Sequence, residues 1–263
     1  MNDLLDGVLA DLAAESERLD DLVSPLEEAD WRRATPAAGW DVATQVAHLA
    51  WTDEAAVAAA TDKERWDALV LEAISDPTGV VDAAALDGGK AEPADLLERW
   101  RTARAALADA LRGVPTGEKL PWFGPPMSPT SMATARFMET WAHSLDVHEA
   151  LGAEPEVTDR IRHVAHLGVR TRNFSFAAHD QEPPADEFRV ELTAPSGDLW
   201  TWGPEEAAQS VRGSARDFCL LVTQRVHRND TDLVAQGRDA NAWLSVAQCF
   251  AGPPGEGRVP RDG

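Results

Sequence analysis

The sequence has no tyrosine, only two cysteines, and 24 basic residues against 45 acidic ones in 263 positions. The cysteines, Cys219 and Cys249, both fall late in apolar surroundings. Two such thiols are expected as reduced core residues, not as the framework of a small secreted domain. A formal charge of −21 repels phosphate backbones and anionic lipid surfaces, because tight nucleic-acid binding draws on clustered Lys and Arg. Neither nucleic acid nor a membrane is therefore expected as a partner. No apolar run approaches the roughly 20 residues a spanning helix needs. The opening MNDLLDGVLADLAAESERLDDL is broken by acids every few residues, unlike the basic start and apolar stretch of a secretory signal. The expectation is a cytoplasmic protein, monomer or homodimer. Also missing are internal repeats, GxSxG, a P-loop and GxGxxG, and HEALG lacks the second histidine of HExxH. Hydrolase-triad and nucleotide-binding readings have no support.

Apolar residues at 44% and charged residues at 26% are enough for a packed core. Leu4, Leu5, Val8, Leu9, Leu12, Leu19 and Leu22 recur at helical spacing up to Ser24-Pro25. After Gly39, the stretch WDVATQVAHLAWTDEAAVAAA reads as a second helix whose alanines permit close packing. A weaker helical pattern covers 62–76, and Pro77, Gly79, Gly88 and Gly89 mark 77–92 as a loop. Residues 93–113 read as a helix carrying Leu96, Leu97, Trp100, Ala103, Leu107 and Leu111. The Pro-rich run from Pro121 to Pro129 leads into a helix that Thr130 or Ser131 can cap and that stops at Gly152.

Beyond Pro155 another helix is expected from Thr158 to Arg172, then a hairpin, FRVELTA and DLWTWG, around Ser196-Gly197. The stretch EEAAQSVRGSARDFCLLVTQRV and a shorter one around Trp243 read as helices. The fold class is mainly α, with a helical unit over 1–153, a smaller α+β domain over 154–255 and a disordered tail over 256–263.

Glu139 and His143, four apart in METWAH, project side by side from one helical face and can grip one ion. His48, mid-helix in QVAHLAW among apolar residues, is the best third ligand, since an uncommitted imidazole there would have to find partners in the core. Three ligands from imidazole and carboxylate suit a borderline cation and leave positions open for water or a thiolate. Spacing alone also fits a hydrogen-bonded core histidine and an ordinary surface Glu–His pair. Asp146, three residues beyond His143, can orient that imidazole. Trp51 and Arg136 lie one turn from a ligand and can border a cavity, while Trp40, Trp51 and Trp141 can wall it. His148 falls on another side of its helix, and His163 and His166 share a face without an acidic partner at ligand spacing.

Two segments, GWDVATQVAHLAWTDEA and ETWAHSLDVHEALG, resemble the signature segments of the DinB-like metal-binding superfamily in its mycothiol-dependent maleylpyruvate isomerase branch. The resemblance implies an N-terminal DinB-like four-helix bundle holding a divalent metal on His48, Glu139 and His143. Zinc is the first expectation, with nickel, manganese or iron open. It implies mycothiol, or a similar low-molecular-weight thiol, as cofactor. The thiolate would add to a cis double bond of a small-molecule substrate and leave after rotation, or be transferred permanently, giving an isomerase or an S-transferase. The stretch VRGSARDFCLLVTQR resembles the small domain of that family, so Arg225 matches its active-site basic residue, although Gln224-Arg225 stands where the family usually has Gly-Arg. Arg225 with Arg136 would hold a substrate carboxylate. Two other classes stay open: a metal-binding helical protein without turnover, and a hydrolase or lyase using metal-bound hydroxide.

Overall fold

The apolar period at the start of the chain forms α1 (Asp3–Val23), whose Leu5, Val8, Leu9, Leu12, Leu19 and Val23 are all buried. It belongs to a computed structural model that describes residues 3–77, 79–252, 254–255 and 257–261. A short α2 (Glu28–Trp31) buries Trp31 and leads through a turn into α3 (Val42–Thr61). Asp41 starts α3 by accepting the Thr44 backbone N–H at 2.8 Å and the Thr44 hydroxyl at 2.6 Å, which satisfies donors the first turn leaves open. Almost every residue from Val42 to Ala50 is buried, whichever way it faces, as expected of a helix surrounded by others. Around it lie α4 (Lys63–Ser75), α5 (Val80–Gly88), α6 (Pro93–Gly113) and α7 (Pro129–Leu151).

The four long helices α1, α3, α6 and α7 make a bundle, with Leu19, Trp31, Val46, Leu49, Trp100 and Val147 in its core. Ion pairs tie it across: Arg101 and Arg104 of α6 both reach Asp20 of α1, and Arg99 grips Glu54 of α3 at 2.8 and 2.9 Å. Two expectations are corrected. The stretch 77–92 is not all loop, because α5 forms there and its glycines serve packing. A Cβ on Gly88 would meet Ala47 at 3.1 Å, and one on Gly89 would meet the Thr44 backbone at 3.1 Å. The α7 cap is Ser128, whose hydroxyl accepts the Ser131 N–H at 3.1 Å ahead of Pro129, so neither Thr130 nor Ser131 caps it. The far end stops at Gly152, whose φ of 66° is the left-handed closure glycine adopts without strain.

The described residues divide into two compact units, one up to Pro155 and one from Glu156 onward. The second begins with a 3₁₀ turn (Asp159–Ile161), α8 (Arg162–Arg170) and α9 (Arg172–Ala178), so the single helix expected to Arg172 is interrupted at Thr171. The hairpin forms as β1 (Arg189–Thr193) and β2 (Leu199–Trp202), antiparallel with Val190 opposite Trp202. The stretch expected as one helix from Glu205 opens instead with β3 (Ser210–Ser214), parallel to β1, before α10 (Ala215–Val222). A short β4 (Val234–Gln236) pairs antiparallel with β3, and α11 (Arg238–Val246) follows. The sheet order is β2-β1-β3-β4, over a core that includes Leu192, Val211, Phe218 and Trp243. The fold is thus mainly α, with a smaller α+β unit. Of the stretch 256–263 expected to be disordered, residues 256, 262 and 263 lie outside the described residues, and the Arg261 N–H is held by Asp230 at 3.0 Å. Cys219 and Cys249 are buried free thiols, and burial pushes the Cys219 thiol well above its usual value. Among the described residues no helix is long and apolar enough to cross a membrane.

Candidate metal centre

His48 projects from the middle of α3, and Glu139 and His143 from successive turns of α7, a helix that packs on α3. Their three ligand atoms lie within 4.8 Å of one another. Glu139 Oε2 is the shared vertex, 3.0 Å from His48 Nε2 and 3.3 Å from His143 Nε2. Two atoms bound tetrahedrally to one zinc at 2.0–2.1 Å stand about 3.3 Å apart, so the two distances to Glu139 Oε2 fit a shared cation as well as hydrogen bonds. The donor set, two imidazoles and a carboxylate, suits a borderline divalent cation. Burial alone would raise the Glu139 carboxyl. His143 and His48, which donate to it when their facing nitrogens carry a proton, and the charge of Arg136 nevertheless hold it well below the usual carboxylate value, so it stays anionic.

The second nitrogen of each imidazole differs. His143 Nδ1 lies 2.5 Å from Gln45 Oε1, so an amide sits against the outer nitrogen of this ring. Asp146 is itself buried, further along α7. His48 Nδ1 is buried without a hydrogen-bond partner among the described residues. Trp40 walls the site, its ring 5.3 Å from the His48 ring and stacked within 17° on His143 at 5.9 Å. It also borders a cleft of about 560 Å³ lined by Arg32, Asp41, Thr44, Gly89 and Lys90, large enough for a small molecule.

Arg136 lies on the far side of Glu139, its Nη2 3.6 Å from Oε1, with a side chain only 4% exposed. Its Nε and Nη1 are buried without hydrogen-bond partners among the described residues, and its guanidinium sits 5.6 Å over the Trp122 ring. Trp51 stacks on Phe123 at 6.0 Å, in an aromatic group that also holds Trp66 and Trp122. Trp141 is buried. His148 is satisfied locally, its Nδ1 2.8 Å from the Ser144 carbonyl, and His166 accepts from the Trp202 indole at 3.3 Å.

Arg225 belongs to the second unit, just past α10, where its Nη1 donates to the Thr223 carbonyl at 2.6 Å. The preceding Gln224 has φ 59°, the left-handed backbone that glycine takes freely. The departure from Gly-Arg therefore changes the residue and keeps a backbone conformation open to glycine.

Fold and site together define a helical-bundle protein with a candidate His-Glu-His metal centre and an appended α+β unit. The family model for the mycothiol maleylpyruvate isomerase N-terminal domain matches residues 12–148, and the chain belongs to that family. A model described as wyosine base formation matches residues 184–236. Uncharacterized proteins from two strains of Mycobacterium tuberculosis are each 54% identical over 250 residues, covering 95% of this chain and 97% of theirs. The crystal structure of the mycothiol-dependent maleylpyruvate isomerase shares the fold with a TM-score of 0.60 at 15% identity, covering 88% of this chain and 92% of that one. A histidine-to-alanine mutant of the same enzyme gives a TM-score of 0.59 with the same identity and coverage.

Proposed function

We propose that this protein is a metal-dependent enzyme that uses mycothiol, or a similar small thiol, to isomerise or conjugate a small electrophile bearing a carboxylate. The observation that carries the reading is the meeting of His48, Glu139 and His143 ligand atoms within 4.8 Å, in a chain of this family. Those three side chains would hold the cation. A cation held there would lower the pKa of a bound thiol and so would supply the thiolate that such chemistry needs at neutral pH.

The chain's own groups support the rest. Glu139 remains charged and can offset a cation, and Trp40 excludes water from one side of both imidazoles. Arg136 has two donors, Nε and Nη1, with no hydrogen-bond partner among the described residues, and these would serve a substrate carboxylate. Arg225 is proposed as a carboxylate-binding group, and Trp51 as part of the surface that receives the thiol. A cytoplasmic setting, where thiols stay reduced, fits the two free cysteines.

The test is an assay of zinc-loaded protein on a cis-configured unsaturated carboxylate such as maleylpyruvate, with and without mycothiol. The reading expects loss of the cis substrate only when thiol is present. Turnover independent of thiol would favour the hydroxide-using hydrolase or lyase, and no turnover under any metal load or thiol would favour a binding role.

A further inference from the structure

We infer that Gln45 is a positioning residue that locks His143 in its Nδ1–H tautomer, so that the Nε2 lone pair is turned toward Glu139 for a cation. The inference rests on the metal reading for its purpose, and its geometry stands independently.

The argument starts at a group whose polarity is not in doubt. The Trp40 carbonyl can only accept, and it receives the Thr35 N–H at 2.8 Å and the Thr35 hydroxyl at 3.0 Å. The hydroxyl proton of Thr35 is thereby committed, and Thr35 Oγ1 can only accept from its next neighbour. That neighbour is the Gln45 side-chain amide, 2.9 Å away, so the atom facing Thr35 has to be Nε2. The amide oxygen then points the other way, to His143 Nδ1 at 2.5 Å. An amide oxygen has no proton to give, so Nδ1 must carry the hydrogen. The neutral ring therefore has its lone pair on Nε2, the atom 3.3 Å from Glu139 Oε2.

A lone pair facing a carboxylate oxygen is repulsive unless a positive charge lies between them. The relay therefore builds a demand for a proton or a metal ion at this spot. Gln45 has no exposed surface, and water does not compete for its orientation. An imidazole without such a partner in water favours the opposite tautomer, with the hydrogen on Nε2, where it would block metal ligation. Hydrogen bonds of this kind to metal-bound histidines tune affinity about 10–100-fold.

Two measurements test the inference. In wild-type protein labelled with ¹⁵N in histidine, freed of metal and held at a pH where the rings are neutral, His143 should show a protonated Nδ1. A protonated Nε2 in the neutral ring would overturn the proposal, whatever the protein's metal content. In zinc titrations against a competing chelator, Gln45→Leu should weaken binding about 10–100-fold, while Gln45→Glu, which keeps an acceptor against Nδ1, should stay within a few-fold of wild type. Wild-type affinity in a folded Gln45→Leu would overturn it, as would equal loss in both variants. If Gln45→Leu does not fold, the wild-type spectrum and Gln45→Glu still decide. A His143→Ala variant that kept its zinc would defeat the ligand assignment and leave the tautomer measurement standing, so the two failures can be told apart.

Discussion

Replacing Asp53 by Asn should stabilise the metal-free protein above neutral pH and leave it unchanged in acid. Asp53 lies on α3 beyond His48 and is 5% exposed. Burial pushes its carboxyl from the usual 3.8 up to about 7; Arg136 and Arg104 oppose the rise, and Glu139 and Glu54 add to it. A group that binds its proton more tightly when folded contributes stability that is complete below 3.8 and is lost as the pH rises through about 7. At 1.36 kcal/mol per pH unit, the interval from 3.8 to about 7 corresponds to about 4 kcal/mol. Asparagine has nearly the same shape and no charge to desolvate, so the variant lacks this loss. Urea denaturation of chelator-treated protein at pH 5 and pH 8 measures it. The wild type should lose stability between those values, the variant should lose little, and the gap at pH 8 should approach a few kcal/mol. Equal stability changes at both pH values would refute the reasoning, because a purely steric effect does not depend on pH. A bound cation near Glu139 would favour the ionised carboxyl, so added zinc should shrink the difference.

Asp20→Asn should act with the opposite sign. Hydrogen bonds from Arg101 and the charges of Arg104 and Arg101 hold its carboxyl below the usual value, so its contribution exists above 3.8 and is lost as the pH falls through its folded value. A loss of about 2 kcal/mol is expected in denaturation at pH 7, and much less at pH 3. Gly203→Ala should destabilise the second unit, because a Cβ at this φ of 75° would sit 2.0 Å from the Phe188 carbonyl oxygen. A cost above about 2 kcal/mol, with the sheet's amide exchange accelerated and the helical bundle's unaffected, is the expected result. Gln224→Gly should be neutral or stabilising by about 1 kcal/mol in denaturation experiments, since it relieves a non-glycine residue at φ 59°.

The long helices and the pairing of Glu139 with His143 were legible because they follow local rules. Apolar residues of α1 and α6 recur at the helical period, and Glu139 and His143 lie one turn apart, where any helix brings them together. His48 needed more than spacing, since its meeting with α7 is a tertiary event, and the resemblance of two segments supplied the pairing. Gln45 was passed over, although an amide in the run VATQVAH, three residues before His48 and among buried neighbours, is itself a signal of a committed hydrogen bond. α5 was hidden because Gly88 and Gly89 read as loop residues, whereas they let the backbone approach Ala47 and Thr44. β3 was hidden because β2 separates it in sequence from its parallel partner β1, and five residues with one buried aliphatic side chain carry no period of their own. Gln224 shows the reverse case, in which a change of residue that weakens a motif by eye leaves the backbone conformation available.

The most direct test of the account is the divalent metal content of the purified protein, measured by elemental analysis alongside a folded His143→Ala variant. A site built from His48, Glu139 and His143 predicts close to one equivalent per chain in the wild type and a large loss in the variant. A variant that retains the full equivalent would mean that the ion is held elsewhere and that the three side chains meet for another reason.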